Sequence, residues 1–422
     1  MREDTTIPFR SPAFRDELSD LVREGAQRII CQAVEAELGA FLEEHAGEHD
    51  AQGRRAVVRN GYLPSREVLT GVGPVEVQVP RTRDRSGSGR RFRSELLPPY
   101  LKKTNRVEAV IPWLYLKGVS TNDFGEALRA LFGESVGGLS PASIARLKEG
   151  WDCEYAEWRK RAWHGEEFVY LWVDGIYLNV RSGERRCLLV VVGCDARGRK
   201  RFLALEPGFR ESKESWKAVL LSLRDRGVKA AKLAVGDGSL GFWSALAEVY
   251  PETRAQRCWV HKTANVLDKM PKSVQGEAKS MLHEMWGADT RAHAQGAFER
   301  FCATWEAKYP KAVECLAKDQ DELFAFYDFP AGHWRSIRTT NPIESTFATI
   351  RLRTAKTRNC LSEKSALSLV HQLAMSAEKR WGPLRGLRHL ADVITDVRFI
   401  NGVNENETGR EAAELKTAIH NI

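Results

Sequence analysis

Between residues 168 and 260 the sequence alternates β-type and helical runs in an order that few folds share. FVYLWVDGIYLNVR (168–181) is an apolar run, an acid at Asp174, a glycine and a second alternating run, and CLLVVVGCD (187–195) and RFLALEP (201–207) follow it at hairpin spacing. Three consecutive strands of this kind predict an antiparallel half-sheet. A helix is expected over 214–226, with Trp216, Val219, Leu220 and Leu223 as its buried stripe. KLAVGDG (232–238) reads as a short apolar strand ending at Asp237, and a helix over 242–250 and a strand over 254–260 complete the run.

The order β-β-β-α-β-α-β, with one acid beside the first strand and another just after the fourth, is that of a ribonuclease-H-like core, so the expected class is α/β. On that topology Asp174 and Asp237 end adjacent inner strands and face one cleft. A third acid comes from RTTNPIESTFATIRLRTAKTR (338–358), where Asn341 suits a helix cap, Pro342 the first turn, and Glu344 follows within that turn. Arg351, Arg353, Lys356 and Arg358 come next with no acid between them, which points to an anionic partner. Three converging carboxylates cannot all stay ionised without a cation. Oxygen ligands open to solvent suit Mg²⁺ or Mn²⁺, and two such ions about 4 Å apart suit in-line phosphoryl transfer. Asp174, Asp237 and Glu344 are therefore the expected catalytic and metal-binding residues.

Charge is unevenly placed in the 422 residues. Residues 1–50 carry 5 basic and 12 acidic side chains, whereas 51–107 carry 13 basic and 4 acidic. Basic excess confined to one segment favours an anionic polymer as partner. It peaks in RTRDRSGSGRRFR (81–93), whose Arg81, Arg83, Arg85, Arg90, Arg91 and Arg93 stand among glycine and serine. That composition predicts a mobile arm lying along phosphates. Ahead of it, apolar residues at three- and four-residue steps predict one helix over 14–44, packed on its own domain or on a second subunit, and Gly-Val-Gly-Pro at 71–74 predicts a hairpin. Within 107–150, two helical runs joined by a glycine-containing turn form a helix-turn-helix candidate, whose second helix would offer Ser143, Arg146 and Lys148 to DNA.

Eight cysteines without a CxxC pair argue against a disulfide framework and against a four-cysteine zinc site. Cys258-x-x-His261 lacks two further ligands at finger-like spacing, so it reads as a structural motif bracing the last strand near the acids. Residues 262–335 recur at helical steps and predict an all-helical insertion whose Trp286, Trp305 and Trp334 read as core before base-stacking residues; His333 and Trp334, beside the Glu344 helix, are the best exceptions as DNA contacts. With no apolar run of about 18 residues and no hydrophobic leader in MREDTTIPFR, a cytoplasmic, nucleoid-associated protein without a membrane partner is expected. The expected domains are 1–106 (helix, hairpin and basic arm), 107–162 (helix-turn-helix-like), 163–261 (first part of the core), 262–335 (insertion), 336–385 (last part of the core with the Glu344 helix) and 386–422 (tail).

Four collinear motifs, VDGIY around Asp174, GDGSLGFWSAL around Asp237, QRCWVHKTANVLDKMP (256–271) and RTTNPIESTFATIRLRT around Glu344, resemble the mutator-type transposases of bacterial insertion sequences. RNGY, VQVPR and LKGVSTNDFGEAL resemble the N-terminal parts of that family. The resemblance implies a metal-dependent DDE transposase that binds the terminal inverted repeats of its element, frees 3′-OH ends and joins them to target DNA. Its acids carry over as Asp174, Asp237 and Glu344, its partner is double-stranded DNA, and a homodimer is expected because two element ends must be joined together. A ribonuclease-H-like nuclease that hydrolyses without joining would use the same acids, and a DNA-binding regulator with a vestigial core is the non-enzyme alternative.

Overall fold

The computed structural model describes residues 17–104, 124–132, 141–179, 185–208, 210–238, 240–356 and 363–406, together with single positions 107, 110, 114 and 119. The chain divides into two compact units, Met1–Leu147 and Lys148–Ile422.

In the first unit a 28-residue helix, Glu17–Glu44, buries only Val34 and Leu38, while Leu18, Leu21, Val22 and Ile29 of the expected apolar stripe are exposed. Strand β1 (Val57–Tyr62) pairs antiparallel with β4 (Pro80–Asp84), and β2 (Arg66–Thr70) with β3 (Gly73–Val77) across a tight turn in which Thr70 faces Gly73. Val68, Val75, Val77 and Val79 meet Val34 and Leu97 in a small core, as alternation along the strands requires.

The mobile arm expected over 81–93 is corrected by this structure. Its first residues belong to β4, and the turn beyond is wound around Asp84, which accepts from Ser86 N (2.8 Å), Ser88 Oγ (2.8 Å) and Arg90 N (3.1 Å). Phe92 then packs on the valine core, with its N–H donated to Thr82. One aspartate supplied the acceptors that a glycine- and serine-rich segment needs in order to settle. Of the helix-turn-helix candidate, Phe124–Phe132 and Pro141–Arg159 are helices, and the link at 133–140 lies outside the described residues.

The second unit is built on a five-stranded mixed sheet in the order β7-β6-β5-β8-β9. Strands β5 (Phe168–Asn179), β6 (Arg185–Asp195) and β7 (Lys200–Gly208) are antiparallel neighbours, while β8 (Leu233–Gly236) and β9 (Arg254–Arg257) run parallel to β5. β9 is shorter than the run 254–260 suggested, because Cys258 caps a helix, Trp259–Leu267, that claims the rest.

Side chains of β5 alternate between two covered faces. Leu171 and Val173 join one hydrophobic core with Trp216, Leu220 and Leu223 of helix Lys213–Asp225 and with Phe242, Ala245 and Leu246 of helix Leu240–Val249. Tyr170 and Trp172 point the other way, where the Tyr170 hydroxyl meets His333 Nδ1 (2.7 Å) and Trp172 Nε1 donates to Ser336 O (2.9 Å). Helix Asn341–Lys356 packs against β5 as well. Asp174, two residues beyond Trp172, belongs to this second face. Residues 262–335 are helical almost throughout, in Lys272–Gly287, Arg291–Trp305, Pro310–Ala317 and shorter turns.

Candidate active site

Strand pairing sets the two aspartates. Trp172 lies opposite Val235 in the parallel β5–β8 ladder, so Asp174 and Asp237 leave that ladder at the same level, each two residues past the pair. Asp174 is not at a strand end, because β5 continues five residues further, paired only to β6. Its backbone is therefore held by β6, and the residue is only 9% exposed.

Asp237 is fixed through its carbonyl, which accepts from Trp243 Nε1 (2.8 Å) and Arg257 Nη1 (2.6 Å). Arg257 is held in turn by Asp319 (3.2 Å) and lies over the Trp243 ring.

Glu344 arrives from the helix side. Thr340 occupies the capping place expected of Asn341, since its carbonyl accepts from Ile343 N (2.8 Å) and Glu344 N (3.1 Å). The Glu344 carboxylate accepts the Thr340 hydroxyl (2.8 Å), and its Oε1 lies 4.0 Å from His261 Nε2. Cys258, His261 and Glu344 each place a donor atom within 4.8 Å of the others. Cys258 directly follows β9 and caps the helix that carries His261, and its N–H is donated to Gly236 O at the end of β8 (2.7 Å).

Electrostatics join the two sides. Burial pushes the Asp174 carboxyl up to about 7, and the neighbouring carboxylates of Asp237 and Glu211 push in the same direction against the pull of His261. A hydrogen bond to Cys258 raises His261 to about 9 against its own burial, with Asp174 and Asp237 adding to the rise. Asp174, Asp237 and His261 thus feel one another, and His261 in turn faces Glu344.

Glu211 was invisible to sequence reasoning because it stands in a loop without a motif. Its signal was indirect: Gly175 and Gly241 follow the two aspartates, and a Cβ at Gly175 would fall 2.5 Å from the Glu211 carboxylate, while one at Gly241 would strike the backbone of Glu211 to Lys213. Hard oxygen donors around a buried, reluctant carboxylate fit a divalent cation of the Mg²⁺ class. The Thr340 hydroxyl lies among the Cys258, His261 and Glu344 donors, where an ion that they shared would sit.

Other expected contacts fall elsewhere. His333 is fully buried, accepting from Tyr170 and donating Nε2–H to Gly386 O (3.0 Å), and burial lowers its pKa, so its candidacy as a DNA contact is corrected. Trp334 is half-buried among Phe326 and Tyr327 with its indole N–H on Phe329 O (2.8 Å), a core role. Arg146 is exposed and Lys148 half-buried; the side chain of Ser143 lies outside the described residues, as do those of Arg351, Arg353 and Lys356 and the whole of Arg358. Arg66, Arg81, Arg83, Arg90, Arg91 and Arg93 line one cavity of about 930 Å³ in the first unit. Among the described residues no helix is long and apolar enough to cross a membrane.

A family model described as "Transposase, Mutator family" matches residues 5–383. The transposase of insertion sequence element IST2 from Acidithiobacillus ferrooxidans is 49% identical over 67% of this chain and 96% of its own length. That of IS6120 from Mycolicibacterium smegmatis is 48% identical over 69% of this chain and 91% of its own. That of IS905 from Lactococcus lactis is 30% identical over 84% and 88% respectively.

Proposed function

The chain belongs to the Mutator family of transposases, and we propose that it acts as a DDE transposase, with Asp174, Asp237 and Glu344 as its acid set on a ribonuclease-H-like core. It binds the terminal inverted repeats of its element, cleaves DNA strands and joins the freed 3′-OH ends to target DNA. The observation that carries this reading is the meeting of a sheet-held aspartate pair with a helix-held glutamate through His261.

Asp174 and Asp237 would hold one Mg²⁺ or Mn²⁺ ion, and Asp174 and Glu344 a second. Bound there, such ions activate an attacking oxygen and neutralise a leaving one. The chain's own contribution is to keep Asp174 shielded from bulk water and aimed at the scissile phosphate. The six arginines of 81–93, with Arg351, Arg353, Lys356 and Arg358, supply phosphate contacts that set the register of the duplex. Two subunits acting together would bring both element ends to one target.

Nicking and joining assays on labelled end DNA test the reading. Mg²⁺-dependent 3′-OH ends and joined products are expected, and pre-cleaved ends should be joined without further cutting. Hydrolysis with no joining would replace transposition by simple nuclease action, and DNA binding without nicking would leave a regulator.

A further inference from the structure

We propose that Thr340 is a positioning residue of this site, its hydroxyl forming the centre of a four-group knot that ties the Glu344 carboxylate to Cys258 and His261. The inference rests on the reading of Glu344 as one of the acid set. Thr340 is fully buried, and its Oγ1 lies 2.8 Å from Glu344 Oε1, 3.3 Å from Cys258 Sγ and 3.4 Å from His261 Nδ1.

Proton accounting gives the knot a direction. A threonine hydroxyl has one proton and two lone pairs. A carboxylate can only accept, so the proton goes to Glu344. The two lone pairs are then matched by the Cys258 S–H and by a proton on His261 Nδ1. An N-cap threonine ordinarily turns its hydroxyl to a backbone N–H of the first turn. Here it is spent on the acid four residues on.

The knot is also anchored to the sheet. Cys258 N donates to Gly236 O (2.7 Å), the last residue of β8 and the one before Asp237, while Thr340 N donates to Cys258 Sγ (3.3 Å). Trp259 N donates to Arg338 O (3.0 Å) alongside. A short chain of hydrogen bonds therefore runs from the strand end that presents Asp237, through Cys258 and Thr340, to Glu344. Cys258-x-x-His261 acquires a role in it without a metal, and the hydroxyl fills the space that an ion shared by Cys258, His261 and Glu344 would need.

The test compares full-length Thr340→Val and Thr340→Ser for Mg²⁺-dependent nicking, Mn²⁺ binding by calorimetry without DNA, end-DNA binding and thermal unfolding. Valine keeps the shape and loses the hydroxyl; nicking should fall about ten- to hundredfold, the worth of a hydrogen bond to a charged group, with Mn²⁺ binding weakened in step. Serine should keep both within about threefold, and end-DNA binding should hold in both variants. Valine behaving as wild type, or serine failing as badly as valine, overturns the proposal. So does stoichiometric zinc in the purified protein that is lost in Cys258→Ala. If the valine variant does not fold, Cys258→Ala, which removes the anchor and leaves the Thr340 to Glu344 bond, should still weaken Mn²⁺ binding, and no weakening overturns the knot. Strand transfer surviving in Glu344→Gln would instead sink the acid-set reading, a result separable from any behaviour of Thr340.

Discussion

The aspartates and the glutamate reach one neighbourhood by different means. Asp174 and Asp237 are placed by main-chain pairing: a ladder between β5 and β8 fixes their level, and Asp237 is held further by two donors on its carbonyl. Glu344 is placed by side chains, through Thr340, on a helix whose start is bonded to Cys258. Backbone pairing fixes position with many shared hydrogen bonds, whereas a side-chain knot depends on each member. The sheet half of the site is thus the rigid half, and the helix half is where adjustment on binding DNA belongs.

The largest effects should ignore this difference. Asp174→Asn, Asp237→Asn and Glu344→Gln should each cut nicking and joining by more than about a thousandfold, since groups that act as a unit fail as a unit. End-DNA binding, measured by gel shift, should survive. A glutamate variant that keeps a tenth of wild-type joining would break the set in two.

Gly241→Ala tests the rigid half. The added methyl would press on the backbone of Glu211 to Lys213, so overpacking should destabilise the second unit by about 1–3 kcal/mol and shift the denaturant midpoint. An unchanged midpoint would show that the loop beside the aspartates yields easily.

Acidity gives a signed effect. The Asp174 carboxyl rises from 3.8 to about 7, so its neutral form is the one the fold prefers. The stability this contributes is complete below about pH 4 and is lost as pH rises through about 7. In EDTA near pH 8, Asp174→Asn should therefore melt roughly 5 °C above wild type, with the gap closing near pH 4. Mn²⁺ should raise the wild-type melting temperature at the higher pH and leave the variant unmoved. Coincident curves would mean that Asp174 ionises without strain.

Smallest is the expected change in the first unit. Arg83→Ala should lower the salt slope of end-DNA binding by about 1, and an unchanged slope would take that side chain off the phosphates.

Much of the rigid half was legible beforehand, for the reason that makes it rigid. Apolar alternation and short turns expose strands, and the runs 187–195 and 201–207 lie within β6 and β7. The helix stripe of Trp216, Val219, Leu220 and Leu223 is buried as its spacing requires. The helix half was harder to read because its contacts join residues about eighty apart, as between Cys258 and Thr340, and no local pattern records them. His333 misled because a buried histidine paired with Tyr170 looks, in sequence, like any polar residue beside a basic helix. Residues 81–93 misled because composition counts arginines and cannot see that Asp84 gathers the turn.

The most direct measurement is anomalous diffraction from crystals of the full-length protein with end DNA and Mn²⁺. The account predicts manganese bound between Asp174 and Asp237, with Glu344 within a side chain's reach. Manganese absent from that place, or Glu344 turned away from it while DNA is bound, would contradict it.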